Sequence, residues 1–158
     1  MTTSLNKLLQ LGAFSLLVGM TTVTLAGSDN DAPNVQVRDQ LIGAWRLAWL
    51  EEEGTDGNVH KADCAGMLVY TSDGRMSVQV MYRNQQTRSS YAQSGYEASY
   101  GAYQLDQGAH TFTFHVEGAL VRTLIGKDLT RVYEFSGNQP IVKSANPNEH
   151  WKVVWEHY

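Results

Sequence analysis

Short segments that alternate apolar and polar residues, each closed by a turn signal, run from Trp45 almost to the C-terminus. No long helical pattern separates them, so parallel crossovers are excluded and the strands must pair as antiparallel neighbours. About eight such segments are present, and strands this short leave exposed edges unless the sheet closes on itself. The expected fold is therefore all-β, an up-and-down antiparallel barrel of about eight strands.

The first segment, Trp45 to Glu51, places Trp45, Leu47 and Trp49 on one face by strict alternation. Ser72-Asp73-Gly74-Arg75 marks a hairpin between Gly66–Thr71 and Met76–Tyr82. Pairing Thr71 with Met76 predicts one face of Met67, Val69, Met76, Val78, Val80 and Tyr82. The other face then holds Leu68, Tyr70, Ser77, Gln79 and Met81. A second hairpin, Tyr96–Leu105 with Thr111–Glu117, gathers Tyr103, Leu105, Phe112, Phe114 and Val116 on one side. Tyr100, His115 and Glu117 fall on the other. Between the hairpins, Arg83 to Gly95 is a long polar insert. Ser89 or Ser90 can cap a short helix there, and an insert of this length suits a lid over a barrel mouth. Val35 to Ile42 fits a helical turn that plugs one barrel end.

The residues before the barrel read as a leader. Lys7 is followed by the apolar stretch Leu8–Val18 and by small residues at Thr24-Leu25-Ala26, the three-part pattern of a secretory signal. The expected organisation is a signal peptide at 1–26, a flexible lead-in at 27–34 and one barrel domain at 35–158, in the periplasm or outside the cell. An uncleaved membrane anchor is the alternative, although the apolar stretch is shorter than the ~20 residues a spanning helix needs. Cys64 is the sole cysteine, so no internal disulfide forms, and burial as a small hydrophobe is expected.

The 158-residue chain carries a formal net charge of −4, with Lys and Arg scattered, which argues against nucleic acid as a partner. No basic amphipathic helix supports membrane-surface binding. No metal site is expected: Glu51–Asn58 lacks the ligand alternation of a calcium loop, and His115 with Glu117 lacks a third ligand. No cofactor fingerprint is present.

Leu41-Ile42-Gly43-Ala44-Trp45-Arg46-Leu47, Gly66–Thr71 with Asp73–Gln79, Tyr100-Gly101-Ala102-Tyr103, His115-Val116-Glu117-Gly118, Gly126, Arg131 and Val154-Trp155-Glu156 occur in this order. Through them the chain resembles the lipocalin-like domain family, within the calycin group of barrels, from about Leu41 to Glu156. The resemblance implies a barrel that opens on Gly43-x-Trp45, with Trp45 across its floor and Arg131 packed over that ring, both in structural roles. It implies no single substrate. Lys61-Ala62-Asp63-Cys64-Ala65 departs from the proline and glycine common in the family at that point, so Cys64 is not a shared family thiol.

The candidate ligand-binding residues are Tyr70, Ser77, Gln79, Tyr100, His115 and Glu117. Tyr100, His115 and Glu117 share one side of their hairpin and can anchor a ligand or move a proton. Tyr70, Ser77 and Gln79 form a comparable polar and aromatic strip. Solvent-facing strand surface is the competing assignment for both groups. Three functions stay open. The first is an exported protein that binds a small, largely apolar or amphipathic molecule in the barrel. The second is an isomerase- or cyclase-type enzyme using Tyr100, His115 and Glu117. The third is a structural or stress protein with a filled barrel.

Overall fold

A computed structural model describes residues 37–54 and 56–158. The expected leader and lead-in lie outside them. Nine strands follow in chain order: β1 (Gly43–Glu53), β2 (Val59–Lys61), β3 (Cys64–Tyr70), β4 (Arg75–Tyr82), β5 (Tyr96–Asp106), β6 (Thr111–Ala119), β7 (Asp128–Ser136), β8 (Gln139–Ser144) and β9 (Trp151–His157). A single 3-10 turn, Arg122–Leu124, lies between β6 and β7. Each strand from β3 to β9 pairs antiparallel with the next, and β1 pairs with both β3 and β9. Eight strands thus close into the expected barrel. The short β2 is a flap that, among the described residues, pairs only with Glu51–Glu53 of β1.

The barrel has a closed end and an open end. The tight β3–β4, β5–β6 and β7–β8 turns lie at the closed end, with a short helix at residues 37–41 just before β1. Leu41 of that helix is fully buried, and its carbonyl accepts the Trp45 indole hydrogen at 2.8 Å. Gly43 has φ +137, a conformation that L side chains rarely adopt, so a glycine is needed where the chain turns into β1. Trp45 is buried on the floor, as the family pattern implies. Its covering ring is His157 of β9, with centroids 3.7 Å apart. Arg131 does not cover it. The guanidinium lies 5.0 Å from the ring centres of Tyr91 and Trp151, near the other end.

Two register details overturn parts of the expected inside–outside pattern. In the β3–β4 hairpin the Thr71 amide donates to the Arg75 carbonyl at 2.9 Å, and Gly74 takes φ +85. That is a three-residue turn, so Tyr70 faces Met76 and Leu68 faces Val78. The expected pairing of Thr71 with Met76 is one residue out, and such a slip exchanges the faces of one strand relative to the other. Leu68 and Tyr70 therefore join Met76, Val78, Val80 and Tyr82 inside, while Ser77, Gln79 and Met81 face outward.

In β1, Leu47 pairs with Trp155 and Trp49 with Val154, which leaves Ala48 as an extra residue. This β-bulge flips the alternation. Trp45 and Leu47 point inward below it, and Leu50 and Glu52 point inward above it. Trp49 lies outside, under the ammonium groups of Lys61 and Lys152. The β5–β6 hairpin keeps the expected faces, with Tyr103 opposite Phe114 and Leu105 opposite Phe112.

Candidate functional site

The interior is not filled by its own side chains. A cavity of about 400 Å³ opens toward the mouth. Leu50, Leu68, Val80, Phe112, Phe114 and Val142 supply much of its apolar wall. These residues come from strands on all sides, because in each strand every second residue points inward. The volume falls within the ~300–1,000 Å³ range of small-molecule sites.

Tyr70 projects from β3 and is edge-on to Tyr103 and Phe112, with centroids 5.0 and 5.9 Å away. It is 1% exposed, and its hydroxyl has no hydrogen-bond partner among the described residues. Burial pushes its pKa well above the usual tyrosine value, so it stays a neutral O–H.

On the β1–β4–β5 side, the Tyr82 hydroxyl donates to Glu52 Oε2 at 3.2 Å. Glu97 and Ser99 enter the cavity from β5. The surface Glu97 retains faces this enclosed space, and the side chain has no hydrogen bond or ion pair among the described residues. Desolvation pushes its pKa up to about 7. The positive charge of Arg131 opposes that rise, and the negative charge of Glu52 adds to it. Cys64, half-buried in the same region, has its thiol pushed up to about 11, by burial first and then by Glu52, Asp63 and Glu97. A thiol in that state is a poor nucleophile.

The opposite rim is built around Arg131. Tyr91 arrives from the segment 83–95, which crosses the mouth as a series of turns rather than the helix expected there. Ser89 Oγ does cap the chain, accepting from the amides of Tyr91 and Ala92 at 3.1 and 3.0 Å, but the turn is not continued into a helix. Trp151 begins β9. Glu149, in the β8–β9 loop, accepts through Oε2 from the Tyr91 hydroxyl at 2.6 Å, from Ser144 Oγ at 2.8 Å and from Trp151 Nε1 at 3.2 Å. Burial alone would raise the Glu149 pKa. The three donors and the charge of Arg131 together hold it below the usual carboxylate value. One carboxylate thus fixes both rings that contact the guanidinium.

Of the six residues expected to bind a ligand, only Tyr70 lines the cavity. Ser77 and Gln79 lie on the outer face and bond each other at 2.9 Å. His115 and Glu117 are exposed, His115 held to Asp128 at 2.7 Å and Glu117 paired with Arg75. Tyr100 is 58% exposed and lies across Gly118, where an added Cβ would come within 2.4 Å of its ring. The expectation that this trio walls a pocket is corrected: its residues share the parity opposite to Phe114 and Tyr103, and that parity faces solvent. No acid–base cluster of Tyr100, His115 and Glu117 surrounds an enclosed substrate. Glu52, Glu97, Ser99, Tyr91 and Glu149, which do face the cavity, were not singled out by the sequence. For Glu97 and Ser99 a signal existed, since both share the parity of Tyr103 on one strand.

Among the described residues, no group of three or more His, Cys, Asp or Glu side chains is placed to hold a metal ion. No helix among them is long and apolar enough to cross a membrane. A family model described as a lipocalin-like domain matches residues 42–156, and no curated protein matches the chain.

Proposed function

The chain belongs to the lipocalin-like domain family, and from that premise we propose that it binds a small, largely apolar molecule inside its barrel. The observation that carries this reading is the cavity of about 400 Å³, apolar along most of its wall and provided with a few polar side chains. A wall of this kind gains from burying hydrocarbon, while isolated polar groups set orientation. The segment 83–95 supports the reading as well, because it covers the mouth without sealing it.

Binding takes place in the periplasm or outside the cell on this proposal, which rests on the leader pattern of residues 1–26. A mature protein beginning at Gly27 in an exported fraction supports that location. An intact Met1 on all recovered protein removes it. Binding itself is tested by titrating the purified protein with an apolar fluorescent probe and by native mass spectrometry after mild purification. Saturable one-to-one binding that a non-fluorescent hydrocarbon displaces is expected. Absence of both saturable binding and a co-purified species ends the carrier reading.

A further inference from the structure

We propose that the molecule held in the barrel carries a carboxylate and that Arg131 is the residue that selects it. This deepens the carrier reading and rests on it. Arg131 is 9% exposed and lines the cavity. Its Nη1 donates to the Thr130 carbonyl at 3.3 Å, the guanidinium also hydrogen-bonds the Tyr91 hydroxyl, and no carboxylate is in ion-pair contact with it among the described residues. Most of its five donors are left without a protein acceptor.

A buried cation whose neighbouring carboxylate, Glu149, stays out of ion-pair contact is costly, and a guanidinium cannot escape by losing its proton. Glu97 faces the same desolvation and relieves it by keeping a proton toward neutral pH. Arg131 has no such option, so its demand is for an external acceptor. The rings of Tyr91 and Trp151 cover the guanidinium, and Glu149 pins both of them. The two rings stand at 77° to each other with centroids 6.1 Å apart, so both lie to one side of the guanidinium and the N–H groups turned away from them are its free direction. A planar fork presented at its edge matches a carboxylate through two parallel bonds. The unpartnered Tyr70 hydroxyl supplies one more donor in the same cavity. A protonated Glu97 adds another, whereas the carboxylates of Glu52 and Glu149 on the same cavity oppose an anion away from Arg131. The apolar remainder of the wall takes the hydrocarbon body.

The test is calorimetric titration of the full chain with dodecanoate and with 1-dodecanol, which share a hydrocarbon tail and differ in headgroup. Dodecanoate is expected to bind roughly tenfold tighter or more, the scale of a charge-assisted hydrogen bond. Arg131→Gln is expected to bring the ratio close to one, and Arg131→Lys, which keeps the charge without the fork, to retain part of it. His115→Ala, on the outer face, keeps the wild-type ratio. Equal binding of the two compounds by the wild-type protein overturns the headgroup assignment and leaves the carrier reading standing. A preference that persists in Arg131→Gln overturns the role of Arg131. Failure of both compounds to bind overturns this proposal, and the carrier reading falls with it only when the apolar probe and a co-purified species are absent as well. Should Arg131→Gln fail to fold, the wild-type ratio and Arg131→Lys still decide.

Discussion

Tyr91 donates its hydroxyl hydrogen to Glu149 across 2.6 Å and so ties the segment over the mouth to the β8–β9 loop. The two residues are 58 positions apart in the chain, and the bond closes one side of the rim. Tyr91→Phe keeps the ring beside Arg131 and deletes the latch together with the hydroxyl's bond to the guanidinium. A hydrogen bond to a charged group contributes about 1.5–3 kcal/mol when fully retained, and less at a half-exposed rim. Amide exchange in residues 83–95 is expected to accelerate by about fivefold or more, with global stability changed by no more than about 1 kcal/mol. Unchanged exchange in that segment would sink the latch.

Glu97 makes stability depend on pH. In the unfolded chain a glutamate loses its proton near pH 4.5, whereas in the barrel Glu97 holds it up to about 7. Between these values the unfolded state gains from ionising and the folded state does not. The contribution of Glu97 to stability is therefore greatest below pH 4.5, falls as the pH rises to about 7, and then levels. The loss from this one group is up to about 3 kcal/mol. Urea unfolding at pH 5 and pH 8 is expected to differ less for Glu97→Gln than for the wild-type protein. Identical pH dependence in the two proteins would rule out a buried, proton-holding Glu97.

The Tyr70 hydroxyl is buried without a partner among the described residues. Removing a desolvated, unpaired O–H relieves a cost of about 1–3 kcal/mol, set against the small loss of contacts around the oxygen. Tyr70→Phe is expected to stabilise the ligand-free protein by about 1 kcal/mol and to weaken binding of dodecanoate. That is the usual opposition between stability and a site kept ready for its ligand. A destabilised Tyr70→Phe in denaturant titrations would mean that the hydroxyl has a partner after all.

At the floor, Gly43 and Trp45 act together through His157. An added Cβ at Gly43 meets His157 Cε1 at 3.4 Å, and the Trp45 ring packs on the same imidazole. Gly43→Ala is expected to cost about 1–3 kcal/mol, mainly through its backbone conformation. Trp45→Ala is expected to cost about 3–5 kcal/mol through the cavity it leaves. Because both changes disturb one contact, the double variant should lose less than the two single losses combined. Strict additivity in chemical denaturation would show that His157 does not couple them.

The fold was legible because alternation and turn dipeptides are local signals, and eight of them in series leave few alternatives to a closed barrel. The β5–β6 faces were legible for the same reason: the alternation runs unbroken where Gly101–Asp106 pairs with Thr111–Val116, and the register shift that leaves Glu117 as an extra residue lies beyond Val116. Inside and outside were misread where one residue changes the count. The Thr71–Arg75 turn is one residue shorter than the expected pairing requires, which sent Ser77 and Gln79 to the wrong side. Ala48 is one residue more than alternation allows, which did the same to Trp49. The Arg131 rim was hidden for a different reason. Tyr91 and Glu149 sit in irregular loops, and no periodicity places a loop side chain next to a strand far away in the chain.

The bulge at Ala48 divides β1 into two halves that answer to different demands. Its lower half seals the base of the cylinder with an indole, and its upper half delivers a carboxylate to the lumen. Lengthening or shortening the strand by a single codon at this point would not trim the molecule slightly. It would exchange what is presented to the guest molecule and what is presented to water along half of a wall, so the spacing between Trp45 and Glu52 is as much a determinant of this protein as either residue.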